Sequence, residues 1–513
     1  MNFVPFYLLL TLLAISSGEV RTKYSALPPD NPRHNFAFYE LYPETPEGEK
    51  ALARAWKLLT NQQLPTHQPE FADPFSKISI SSLIKAINRD GEEECLFSDE
   101  ELTFIESLGS GLKNRTLQGR TIWEKDASQT IPLEEIDLAR SIFLEEYKDT
   151  QRVRSYEALI DLMALQVLAQ LPKNPSAEEM IYAVNDLVFH EMGFRFPAAS
   201  SWEKEIDTYT GLPSVIDSKQ GVCLGVSILY LCIAQRIGLK LEAVTPPGHI
   251  YVRYSDEEHP PINIETTARG IHVPCEHYQG LALETLETKT LREVVGLVFV
   301  NIASVHWKKE EHEQAIASYK KALLYLPNDP FVWDLLAYNH LFIGQLEEGL
   351  SLLQKADAMR KEQGKKPNPI SEDYLQKNAS VEGISIIFSS TEDTRDAILN
   401  KREKLKTLLE KTPKFRAALM QYAQTYLQLG KEKEALAPLE QLCLLEENAT
   451  VACYYLAMIY LNRYDYNKSW YYLRLLKQGI NTQQNGEMGG KPPKFLEDLE
   501  RSLKIFCPEP LSI

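Results

Sequence analysis

Three residues of this chain could share covalent chemistry. Cys223 follows Gly221 in the stretch Gln220-Gly221-Val222-Cys223-Leu224-Gly225-Val226-Ser227. His249 follows Pro246-Pro247-Gly248, and Glu265 follows Asn263-Ile264. A thiol, an imidazole and a carboxylate supply a nucleophile, its base and a group that orients the base. The chemistry would be attack of a thiolate on an acyl carbon. No other stretch of the chain supports an argument for reaction chemistry.

The elements around these residues fit that task. After Cys223 runs Leu224, Val226, Ile228, Leu229, Leu231, Cys232, Ile233 and Ile237, closed by Gly238. A run apolar nearly all round predicts a buried helix, with Cys223 in its first turn. A helix N-terminus favours a thiolate and offers N–H groups to a developing oxyanion. Leu239 to Val244 reads as a short strand. Pro246-Pro247-Gly248 breaks it, and a second strand is expected over His249 to Tyr254. The polar run Ser255 to Pro261 reads as a turn, and Ile262 to Glu265 as the returning strand. Antiparallel pairing of the last two would bring His249 beside Glu265. Cys232, inside the apolar run, reads as a small buried hydrophobe.

On these residues the chain resembles the transglutaminase-like core of the SirB-type proteins, which have a papain-like fold. The resemblance begins at Ile136-Asp137-Leu138-Ala139-Arg140 and continues through Val184-Asn185-Asp186-Leu187-Val188-Phe189 and Met192-Gly193-Phe194. It then follows Leu212-Pro213-Ser214-Val215-Ile216, Gly221-Val222-Cys223-Leu224-Gly225 and Pro247-Gly248-His249, covering about residues 130 to 290. The resemblance implies a Cys–His–carboxylate triad in which Glu265 stands where related enzymes carry Asp. Many SirB-type relatives lack the cysteine, so the family implies the fold more firmly than the reaction. It also implies a bacterial source.

Composition narrows the function classes. A chain of 513 residues predicts about three domains. A net charge of −16 disfavours nucleic acid as a partner, because phosphate binding needs a basic surface. No phosphate-cradling glycine loop, CxxC pair or HExxH motif occurs, so no cofactor and no metal site is expected. Seven cysteines in a chain of this length do not make a disulfide scaffold, and their odd number leaves at least one thiol unpaired in a monomer. Residues 1–18 read as a signal peptide: an apolar run over Val4 to Ile15, then Ser16-Ser17-Gly18. The run lacks Lys or Arg before it, and an uncleaved membrane anchor is the competing reading. An exported chain, periplasmic or secreted, is the expectation. Residues 19–75 form a partly looped N-terminal segment, and 76–290 the transglutaminase-like domain with its helical N-terminal part.

The C-terminal part is built on a repeat. Ala303, His306, Ala315, Tyr319 and Ala322 recur as Ala337, His340, Gly349, Leu353 and Ala356, and Ala423, Tyr426, Ala435 and Leu439 recur as Ala457, Tyr460, Ser469 and Leu473. Each offset is the 34 residues of the tetratricopeptide repeat. Repeats one and two are expected in 291–360, a linker or degenerate repeat in 361–411, repeats three and four in 412–480, and a tail in 481–513. The fold expected is an α+β transglutaminase-like (papain-like) core with a helical N-terminal part, followed by an all-α tetratricopeptide-repeat solenoid. Such solenoids present a concave surface to proteins or peptides. The function read from the sequence is therefore a cysteine-dependent acyltransferase or amide hydrolase acting on a protein or peptide. The alternative is a non-enzymatic scaffold with an inactive transglutaminase-like domain.

Overall fold

The computed structural model describes residues 17–60, 77–89, 96–124, 129–197, 206, 208–278, 286–446, 449–484 and 494–507. The apolar run of the expected signal peptide, Cys95 and the Gly486–Pro493 stretch of the tail lie outside these residues. Among the described residues no helix is long and apolar enough to cross a membrane.

The molecule is mostly helical, with one small sheet in its middle. Four strands, β1 (Glu242–Thr245), β2 (Tyr251–Tyr254), β3 (Ile262–Ile264) and β4 (Glu287–Lys289), form an antiparallel sheet in the order β3-β2-β1-β4. Against it packs the helix Cys223–Ile237, called the cysteine helix below. Its side chains from Leu224 to Ala234 are all buried, as an apolar sequence without a polar face requires. Gly238 ends it at φ +82°, a left-handed C-cap that glycine adopts without a Cβ clash. On the helix's other flank lies the long helix Thr150–Gln170.

That contact carries buried charge. Glu157 and Asp161 are fully buried one turn apart on the long helix. The Arg236 Nε of the cysteine helix donates to Asp161 Oδ1 at 2.6 Å, and Arg115 donates to Asp161 Oδ2. Arg140 donates to Glu157 through Nε at 2.6 Å and Nη2 at 2.7 Å, and Arg120 Nη1 adds a third bond at 2.5 Å. Each carboxylate thus faces two guanidinium groups, which is how ions are tolerated without water.

Helical hairpins follow the sheet. Thr290 caps Leu291–Lys308 with a reciprocal Thr290–Glu293 capping box, so the chain leaves β4 directly into the first repeat helix. Leu291–Lys308 pairs with His312–Tyr325, Pro330–Phe342 with Leu346–Glu362, Arg416–Gln428 with Glu432–Leu445, and Thr450–Asn462 with Tyr466–Gln484. The repeat-signature positions Ala303, Ala315, Ala337, Leu353, Ala356, Ala423, Ala435, Leu439, Ala457, Ser469 and Leu473 are fully buried. Gly349 shows why small residues are needed there, since a Cβ would stand 2.5 Å from Leu341 Cδ2. Each hairpin turn closes with the same backbone bond at the same offset: Glu311 N to His306 O, Gln345 N to His340 O, Lys431 N to Tyr426 O and Asp465 N to Tyr460 O, at 2.9–3.0 Å. The stretch 361–411 contains three helices, Pro369–Leu375, Val381–Phe388 and Arg395–Lys411. The solenoid is tied to the core through Lys289–Asp329 at 3.0 Å, Asn301 to Thr210 at 3.0 Å and Tyr325 to Glu145 at 2.6 Å.

Candidate active site

Cys223 is the first residue of its helix and is half-buried, whereas the rest of the first turns are covered. The N-cap residue, Val222, has no side-chain acceptor to spend on the helix's leading N–H groups. Its own N–H donates to the Tyr209 carbonyl at 2.9 Å. Gly225 makes that close approach feasible, because a Cβ there would stand 2.4 Å from Tyr209 O and 2.8 Å from Val215 Cγ2. At Gly221 a Cβ would meet Val226 Cγ2 at 2.8 Å. Both glycines flanking the cysteine are therefore demanded by packing. Cys232 lies on the same helix with no exposure, and burial pushes its thiol pKa up. The two thiols of one helix occupy opposite environments.

His249 is placed by a tight turn. Its N–H donates to Pro246 O at 3.0 Å, and Gly248 holds φ +68°. Pro247 followed by a left-handed Gly248 is the residue pattern of a type II turn. The strand expected to open at His249 begins instead at Tyr251, because the turn uses His249 as its fourth residue. Likewise the returning strand ends at Ile264, one residue before Glu265. The β2–β3 register pairs Val252 with Ile264. Continued outward, it sets Glu265 opposite Tyr251, diagonal to His249. The longer Glu arm spans that diagonal, and His249 Nε2 meets Glu265 Oε2 at 2.8 Å. The Cys223 thiol also acts on the imidazole, raising its pKa alongside Glu265. With Nε2 engaged by Glu265, Nδ1 is the nitrogen that remains for the thiol.

The carboxylate is held from every side. Oε1 accepts the Thr267 N–H at 3.0 Å and its hydroxyl at 2.5 Å, and Oε2 accepts the Tyr278 hydroxyl at 2.7 Å. Burial alone would raise the Glu265 pKa, but the bonds from His249, Thr267 and Tyr278 outweigh it and hold the group down at about 2. For His249 burial alone would favour the neutral ring. The hydrogen bonds to Cys223 and Glu265 win, and the imidazole is pushed up to about 10. The arrangement favours an imidazolium between two acceptors.

Tyr278 carries no signal in the sequence reading, because it follows a short helical turn outside any periodic element. In the structure it bonds Glu265, lies near-parallel to His249 at 6.0 Å, and stacks on Tyr251 at 4.1 Å. Ser227, one turn beyond Cys223, shares a buried hydrogen bond of 3.0 Å with Thr266. That bond ties the cysteine helix to the residue beside Glu265. Among the described residues no group of His, Cys, Asp and Glu could hold a metal ion.

Several solved structures are similar to all or part of the chain, each at a TM-score of 0.32 or below. Menin shares 13% identity over 82% of this chain and 91% of its own, with a TM-score of 0.32. The P58(IPK) TPR domain shares 14% over 95% and 94%, at a TM-score of 0.21. The MamA protein shares 14% over 38% of this chain and 98% of its own, at 0.20. No curated protein matches the chain. Residues 154–293, which contain Cys223, His249 and Glu265, match the model of the transglutaminase-like superfamily.

Proposed function

We propose that this chain is an exported cysteine-dependent acyltransferase or amide hydrolase of SirB type, acting on a protein or peptide that its repeats help to hold. The carrying observation is the His249–Glu265 bond of 2.8 Å, with the Cys223 thiol raising the pKa of the same imidazole. Cys223 Sγ attacks an amide carbonyl carbon, and the carbonyl oxygen takes the electron pair. N–H groups of the cysteine-helix N-terminus stand where that oxyanion develops. The C–N bond then breaks as the His249 imidazolium gives its proton to the leaving amine. A thioester on Cys223 remains. Water or a second amine, deprotonated by the now neutral His249, resolves it to an acid or a new amide. Glu265 takes no proton, because its bonds hold it ionised, and it fixes the ring for both transfers.

The resemblance at the sequence level supports SirB-type assignment, and the apolar N-terminal run supports export. Protein or peptide as substrate follows from the stacked hairpins, an architecture that presents a concave binding surface. The test is release of amine from, and incorporation of a labelled primary amine into, a panel of unfolded proteins. Cys223→Ala should abolish both without altering the circular dichroism spectrum. Turnover that persists in the pure variant would refute the assignment.

A further inference from the structure

A second thiol pair sits far along the solenoid. Cys443 lies on the helix Glu432–Leu445 and Cys453 on the next, Thr450–Asn462. Their sulfurs are 3.6 Å apart. A disulfide needs about 2.05 Å, so a further approach of about 1.5 Å closes the bond. Cys453 is buried among Ala457, Trp470 and Leu473, and Cys443 is half-buried beside the same cluster. The pair is therefore pre-assembled by packing.

We propose that Cys443 and Cys453 form a reversible disulfide by exchange with a low-molecular-mass disulfide. The hydrogen bond between the thiols lowers the Cys453 pKa and raises that of Cys443, and in the proposed step Cys453 makes the first attack. It displaces one thiolate from the reagent, whose S–S bond breaks, and a mixed disulfide forms on Cys453. Cys443 loses its proton to the released thiolate and attacks the Cys453 sulfur. The second reagent thiolate leaves and takes up a proton from water. Two protein thiols are oxidised and one reagent disulfide is reduced to two thiols. The product links the second helix of the third hairpin to the first helix of the fourth. It fixes the angle between neighbouring hairpins, which sets the curvature of the concave surface.

The test is to incubate the full-length chain with oxidised glutathione, block remaining thiols and map peptides without reduction. Lys433 and Arg463 bound one tryptic peptide that contains both cysteines. That peptide should be lighter by two hydrogens and should resist alkylation until dithiothreitol is added. In Cys443→Ser, Cys453 should retain a glutathione adduct, the trapped intermediate. Amide hydrogen exchange in the two helices should slow by about tenfold on oxidation. Alkylation of both cysteines at undiminished yield would overturn the proposal. So would a glutathione adduct that persists in the wild type, or pairing of either cysteine with another.

Discussion

Glu265 and His249 titrate in opposite directions from their ordinary values, and the sign of each fixes a pH window. The raised His249 contributes stability that is full below pH 6.5 and lost as pH rises through about 10. The lowered Glu265 contributes stability that is full above pH 4.5 and lost as pH falls through about 2. Their joint contribution is therefore complete between pH 4.5 and 6.5. In Glu265→Gln the imidazole should titrate closer to 6.5, read by NMR of labelled histidine, and the alkaline limb of activity should move down with it. An unmoved His249 titration would show that Glu265 is only a structural neighbour. Cys223, His249 and Glu265 could be picked from the sequence because glycines and a Pro-Pro-Gly break mark their neighbourhoods. Tyr278 could not, since a tyrosine after a loop carries no local pattern. Its role comes from a tertiary stack on Tyr251 and His249.

At the scale of elements, glycines divide by what a Cβ would meet. Gly225→Ala would drive a methyl into the Tyr209 carbonyl, and overpacking of this kind costs about 1–3 kcal/mol. It should also shift the cysteine-helix N-terminus and lower activity more than its stability loss explains. Gly248→Ala meets nothing within 4 Å, so its cost is the left-handed backbone alone, about 1–2 kcal/mol. Urea denaturation of the two variants separates these mechanisms. The hairpin turns offer the converse. Gly344 and Gly430 occupy the left-handed position of their turns, and Glu310 and Tyr464 occupy the same position in the other two, at φ +60° and +62°. Glu310→Gly and Tyr464→Gly should each leave stability unchanged or raise it by up to about 1 kcal/mol, because strain relief offsets the added chain entropy. A loss above about 1 kcal/mol in thermal or urea unfolding would contradict that. The 34-residue spacing of the repeat positions was legible from the sequence alone. Three of the four strands were legible as segments and β4 was not; the ends of β2 and β3 were missed because the turn at Gly248 and the polar contacts of Glu265 take up residues that the sequence assigns to strands.

At the scale of the whole molecule, one apolar cluster runs continuously from Phe36 to Ala418, and two further clusters hold the last hairpins and the helix Lys494–Phe506. The half that carries Cys223 and the first hairpins should therefore unfold together. Native-state hydrogen exchange should show the helices after Gln428 opening at lower free energy than the cysteine helix. Equal protection throughout would contradict a divided core. The buried ion network is the other global feature, and the sequence hides it. Arg140, Glu157, Asp161 and Arg236 are charged residues on helices, yet all four are buried. Asp161→Ala would leave Arg236 buried without its carboxylate, a change that typically costs about 3–5 kcal/mol. A loss below about 1 kcal/mol in urea unfolding would show that the site admits water.

The most direct test of the central claim is the rate of Cys223 alkylation at neutral pH, resolved by mass spectrometry, in the wild-type chain and in His249→Ala. A nucleophilic thiol beside His249 at a helix N-terminus should react at least about tenfold faster than Cys232 and should slow markedly in the variant. A Cys223 rate that is ordinary and indifferent to His249 would contradict the account.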